Sequence, residues 1–251
     1  QRRLIPCSVY HQGEYGIQDV YSGTVCQLGE GGIQRTFELP LTADEKAKVP
    51  GDDVDEVIMG NVVGAGLGQN PARQATIKAG LPASVGATTI NKVCGSGLKA
   101  VMLAGSAIRA GDGDLFLAGG VESMSTAPFL DTTHRSGHKY GHVQLQDSLM
   151  RDGLWCALCD WGMGNAAEFI GRQLEITREA MDAFALRSHQ NAAAAADSGR
   201  FSAEITPVTI QGRKGATTIS EDEGIRRDTS LEALAKLAPA FEQDGVVTAG
   251  N

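Results

Sequence analysis

No long run of lysine and arginine occurs anywhere in the chain, and its formal charge is −8. Proteins that hold nucleic acid need clustered cations to meet phosphates, so no nucleic-acid partner is expected. An anionic small molecule needs only a few local donors and is not excluded. No apolar stretch is long enough to span a bilayer, and no signal-peptide core stands near the start, so no membrane partner is expected either. Internal repeats are missing. So is a disulfide framework, because the five cysteines are an odd and scattered set. Free thiols in a reducing compartment follow, with the cytoplasm as the default location. The chain begins with Gln1, so a targeting signal ahead of it is not excluded.

What is present is globular material. The 251 residues are 42% hydrophobic and 21% charged, enough for one or two domains with a sizeable core. From Asp53 onward strand and helix alternate. Val57-Ile58-Met59 reads as a strand, and Asn70-Pro71 as the cap and first position of a helix that Gly80 closes. Val85 to Ile90 is the next strand. Leu98, Val101, Met102, Gly105 and Ile108 mark one face of a helix ending at Gly111, and Leu115 to Ala118 is a buried strand. This order predicts an α/β fold, a mixed parallel sheet with crossover helices.

Residues from about Glu122 to Leu158 show little periodicity and read as long functional loops. A helix is expected from Gly164 to Leu174. Another starts at Thr177, carries Met181, Phe184, Ala185 and Ser188 on one face, and stops at Gly199. Ile205 to Ile210 reads as a strand, Ser230 as the cap of a short helix, and Val246 to Ala249 as a strand returning to the sheet. Residues 1 to about 50 yield no assignable element and are expected to be an aberrant segment.

Cys94 concentrates the chemistry. It follows a buried strand and opens a helix, in Thr89-Ile90-Asn91-Lys92-Val93-Cys94-Gly95-Ser96-Gly97-Leu98. A cysteine there faces unpaired backbone N–H groups and the positive end of the helix dipole, which favour the nucleophilic thiolate. Gly95 and Gly97 let a carbonyl approach the backbone, and the same N–H groups suit an oxyanion. On local features alone a buried structural cysteine is an equal alternative.

Several segments in order resemble the thiolase family, of the acetyl-CoA acetyltransferase type. They are Asp55 to Val62, Asn91 to Ala100, Ala118 to Ser125, Asp182 to Leu186 and Thr248 to Asn251. The resemblance implies a thiolase-like fold, here incomplete, with residues 51–121 as core, 122–245 as an inserted loop domain that holds coenzyme A, and 246–251 as the start of a returning strand. It implies that Cys94 is acylated and passes the acyl group to coenzyme A or to a second acetyl-CoA. Leu154, Met163, Arg226 and Phe241 match positions lining the coenzyme A site, and Ala249 and Gly250 match backbone positions beside its pantetheine arm. Arg226 suits the nucleotide phosphates, although Arg227 beside it competes for that role. No permanently bound cofactor and no metal are implied; coenzyme A and acyl-CoA are substrates, and a homo-oligomer, dimer or tetramer, is expected.

The sequence also departs from the family. Gly162 stands where biosynthetic members carry a histidine, and Tyr140 where they carry a methionine. The family's activating histidine and second cysteine would lie beyond Asn251, so the chain alone is expected to turn over poorly. An inactive remnant acting at most as a binding or assembly partner is the alternative. Cys156-Ala157-Leu158-Cys159 has the spacing of a redox or half-zinc motif, but no further ligands follow, and it reads as two cysteines on a loop or helical turn. His134, His138 and His142 recur every four residues. The glycines between them make a solvated loop the expectation.

Overall fold

In the computed structural model, residues 3–12, 18–29, 32–37, 53–202, 204–212 and 215–251 are described. Two compact units divide the chain, residues 1–155 and 156–251.

The first unit opens with strands β1 (Arg3–Gln12), β2 (Gln18–Gly29) and β3 (Gly32–Phe37), paired antiparallel in that order. The sequence offers no assignable element there, and the strands appear only in the structure. The rest of the segment expected to be aberrant, residues 1–2, 13–17, 30–31 and 38–50, lies outside the described residues.

Next come β4 (Glu56–Gly60), α1 (Pro71–Lys78), β5 (Gly86–Ile90), α2 (Ser96–Ala110) and β6 (Phe116–Gly120). The three strands form a parallel sheet in the order β5-β4-β6. Parallel neighbours need crossovers, and α1 and α2 supply them. Asn70 caps α1 by accepting from Arg73 N at 3.2 Å, and Gly111 ends α2 at a φ of 82°.

Alternation along β4 sends Val57 and Ile58 to opposite faces. Val57 packs with Val54 and Val85, and Ile58 with Ala100 and Ala104 of α2. The apolar face of α2 is not the one that packs on the sheet. Ser96, Ala100 and Ala104 face inward, while Leu98, Val101 and Ile108 are exposed. Small residues win because the helix lies close to the sheet. A Cβ on Gly60 would come within 2.6 Å of the Ser96 carbonyl carbon. The unit continues in loops stitched by the short pair β7 (Phe129–Leu130) and β8 (Gln146–Asp147), then one π-helical turn at Leu149–Leu154.

A hairpin of β9 (Trp155–Cys156) and β10 (Trp161–Gly162) leads into the second unit. There α3 (Met163–Gln173) and α4 (Arg178–Asp197) are followed by the antiparallel pair β11 (Val208–Gly212) and β12 (Gly215–Ile219), then α5 (Leu231–Ala235). Thr177 and Ser230 cap α4 and α5 through their side-chain oxygens. Phe184 of α4 is half exposed beneath the Arg187 guanidinium at 5.3 Å. Val246 to Ala249 makes only an isolated bridge, Pro239 to Thr248.

Buried carboxylates hold that last segment instead. Glu168, 1% exposed, accepts from Val246 N at 3.0 Å and Val247 N at 2.9 Å. Asp182 pairs with Arg178 at 2.8 Å and accepts from Asn251 Nδ2 at 2.7 Å. Among the described residues no helix is long and apolar enough to cross a membrane.

Candidate active site

At the carboxyl end of β5 the chain turns sharply into α2, and Cys94 stands on that turn. Val93 has a φ of 49°, left-handed backbone that a β-branched residue rarely adopts and that costs about 1–3 kcal/mol. Side chains on both sides hold it there. Asn91 Oδ1 accepts from Val93 N at 2.9 Å, and the buried Ser96 Oγ donates to Val93 O at 2.6 Å while accepting from Lys92 N at 2.8 Å. The ladder of α2 begins with Lys99 N donating to Gly95 O at 2.9 Å, so the N–H groups of Gly97 and Leu98 lie ahead of it.

Cys94 is exposed and borders a cavity of about 390 Å³. Its walls are mostly apolar, with Val62, Val63 and Met124 on one part and Leu149 and Leu154 of the π-helical turn on another. Glu122 fixes the floor. Its carboxylate accepts from Asn61 Nδ2 at 2.9 Å, Val62 N at 2.9 Å and Val63 N at 3.0 Å, which ties the end of β6 to the end of β4. Asn61 Nδ2 also donates to Val121 O at 2.9 Å. The arrangement offers one thiol, on a hydrogen-bonded turn, beside a mostly apolar space.

Of the other expected site residues, Leu154 shares this cavity. Arg226, Ala249 and Gly250 line a second pocket of about 310 Å³ in the second unit, together with His189 and Asp228. His189 Nδ1 accepts from Arg226 N at 3.2 Å. Arg227 is different, since it is ion-paired to Asp197 at 2.5 Å and borders another cavity. Met163 opens α3, and the ring of Phe241 packs so tightly over Gly164 that a Cβ there would lie 2.2 Å from it. Tyr140 is 98% exposed and does not line the Cys94 cavity.

His134 lies on a single 3-10 turn at the edge of a loop, and Gly137 and Gly141 at φ of 90° and 104° stop any longer helix. His134 Nδ1 bonds to Asp131, and His138 Nε2 donates to Gly141 O at 3.0 Å. Sequence reasoning missed Asn91, Ser96 and Glu122. Their polar spacing around two glycine-rich turns is a faint signal, and only the fold shows what they bond.

The strand-turn-helix presents an exposed cysteine beside a strained Val93 at the carboxyl end of a parallel sheet, within an α/β fold. Residues 41–251 match the family model described as thiolase, N-terminal domain, and the chain belongs to the thiolase family. It is 53% identical over 226 residues to an acetyl-CoA acetyltransferase of Pseudomonas aeruginosa, covering 90% of this chain and 56% of that one. It is 52% identical over 210 residues to an acetyl-CoA acetyltransferase of Escherichia coli K12, covering 83% and 53%. The crystal structure of the Bacillus anthracis acetyl-CoA acetyltransferase superposes with a TM-score of 0.76 at 41% identity, over 81% of this chain and 51% of that chain. This chain thus spans about half the length of the relatives it matches.

Proposed function

We propose that the protein is an acyl-CoA C-acyltransferase that works through a thioester on Cys94. The observation that supports this most is the placement of Cys94 on a locked turn at the mouth of an apolar cavity. Sγ attacks the carbonyl carbon of acyl-CoA, the new S–C bond forms, and the bond to the coenzyme sulfur breaks. Coenzyme A leaves with the proton that Cys94 loses. In the second half the acyl group moves to coenzyme A, or to the α-carbon of a second acetyl-CoA, and the thiol is restored. Backbone N–H groups ahead of the α2 ladder are the donors this chain offers to the developing oxyanion.

Leu154 is the contact nearest the acyl group in this reading, and Met163 and Phe241 hold the pantetheine arm beside the backbone of Ala249 and Gly250. Arg226 meets the nucleotide phosphates, which its shared pocket with Ala249 and Gly250 supports. The test is acyl trapping in the full-length protein. With acetyl-CoA labelled in its acetyl group, the label should appear on the tryptic peptide 93–99 and vanish in Cys94→Ser. Label absent from that peptide, or unchanged in Cys94→Ser, overturns the proposal.

A further inference from the structure

Cys156 and Cys159 play no part in that chemistry. The spacing alone reads as two loop cysteines, but the structure places their side chains together. Cys156 ends β9 and Cys159 stands on the loop that leads to β10, where Asp160 N donates to Cys156 O at 2.8 Å and Asp160 adopts a φ of 55°. That tight turn brings the Cys159 thiol within hydrogen-bonding reach of the Cys156 sulfur. Both are free thiols, Cys159 exposed and Cys156 half-buried. Among the described residues no group of three or more metal-ligating side chains forms, so a metal lacks its remaining donors here. Two thiols on one tight turn, one of them exposed, are instead the geometry of thiol–disulfide chemistry.

We infer that Cys156 and Cys159 form a peroxide-reactive dithiol that closes reversibly to a disulfide, a modification site in which Cys94 takes no part. The backbone N–H groups of Cys159 and Leu158 approach the Cys156 sulfur and lower its pKa, and the Cys159 side chain adds to this. Cys159 is pushed the other way, chiefly by its hydrogen bond to Cys156. The roles follow. The Cys156 thiolate attacks one oxygen of a hydroperoxide, the O–O bond breaks, and sulfur is oxidised to a sulfenic acid as the peroxide is reduced to an alcohol or water. Cys159 sulfur then attacks the sulfenic sulfur, and the S–S bond forms. Hydroxide leaves and takes the Cys159 proton as water. A thiol reductant reverses the change by exchange.

The experiment uses the unmodified protein and hydrogen peroxide. Trypsin cuts after Arg151 and Arg172, and the peptide between them carries both cysteines and none of the others. After brief peroxide treatment and maleimide blocking, that peptide should lack two hydrogens and carry no label. Dithiothreitol should restore both labels, and the same loss and recovery should occur in Cys94→Ser. In Cys159→Ser the reaction should stop at the sulfenic acid, trapped on Cys156 by dimedone. In Cys156→Ala oxidation of this peptide should slow severalfold. Circular dichroism checks that both variants fold, and the mapping of the unmodified protein stands without them. The inference is overturned if both thiols stay open to maleimide after peroxide, or if either is found bonded to Cys94.

Discussion

Ser96 Oγ donates to the carbonyl oxygen of Val93 at 2.6 Å, so the first residue of the helix also closes the turn on which Cys94 stands. The same hydroxyl accepts from Lys92 N at 2.8 Å. One buried side chain therefore spans the strained residue and fixes the direction of the thiol.

Replacing Ser96 with alanine should cost about 1–2 kcal/mol, the range for losing a buried hydrogen-bonded hydroxyl. It should also slow transfer of the acetyl group to Cys94, because Val93 is freed to relax from its left-handed backbone. Urea unfolding and the labelling of peptide 93–99 read the two effects separately. A stable variant that labels at the original rate would show that the turn holds without Ser96.

Gly60 should not tolerate even a methyl group. Its Cβ would meet the Ser96 carbonyl carbon and Cβ at 2.6 Å and Gly97 N at 2.7 Å, where backbone has to move. Overpacking of this kind costs about 1–3 kcal/mol. Thermal unfolding should show Gly60→Ala well below the parent and Gly224→Ala, whose Cβ meets nothing within 4 Å, level with it.

Asp55 ties β4 to the start of β6 through two backbone bonds, from Asp114 N at 2.7 Å and Leu115 N at 2.9 Å. The Leu115 bond and then the Asp114 bond hold its carboxyl below the usual value of 3.8. A depressed folded-state pKa gives stability that is complete above the unfolded value and lost as pH falls through the folded one. Asp55→Asn should therefore weaken the protein at neutral pH and flatten the loss of stability below about pH 4. Acid titration followed by circular dichroism compares the two, and parallel curves would refute the assignment.

Arg226 and Arg227 should separate in binding. On the proposed function, Arg226→Ala loses a charge-assisted bond to phosphate and weakens coenzyme A about 10- to 100-fold. Arg227→Ala breaks only the pair with Asp197 on an exposed surface, so affinity should stay within about twofold. Calorimetry with coenzyme A distinguishes them, and the reverse ranking would exchange their roles.

The alternation of strand and helix after Asp53 was legible because each element carries its own local signals. Asn70-Pro71, Gly80 and Gly111 act through backbone conformation, and β4 through the burial of Val57 and Ile58; β5 and β6, expected to be buried, carry no buried residue. The position of Cys94 between a strand and a helix start was legible for the same reason. The face of α2 was not. Counting apolar residues favours Leu98, Val101 and Ile108, yet the short distance to the sheet admits only Ser96, Ala100 and Ala104. β1 to β3 were also missed, since antiparallel pairing depends on partners that a single segment does not display.

By itself the sequence determined the sheet of β4 to β6, the turn that carries Cys94 and the family whose pattern surrounds it, because these rest on residues close together in the chain. Tertiary structure decided the rest. Glu122 reaches across about 60 positions to bind Val62 and Val63, and Glu168 reaches still farther to Val246 and Val247. Only the folded chain assigns Arg227 to Asp197, leaves Arg226 beside Ala249 and Gly250, and sets Cys159 against Cys156. A carboxylate, a guanidinium or a thiol carries no mark in sequence of what it will bond, since its partner is chosen by where the backbone brings the two.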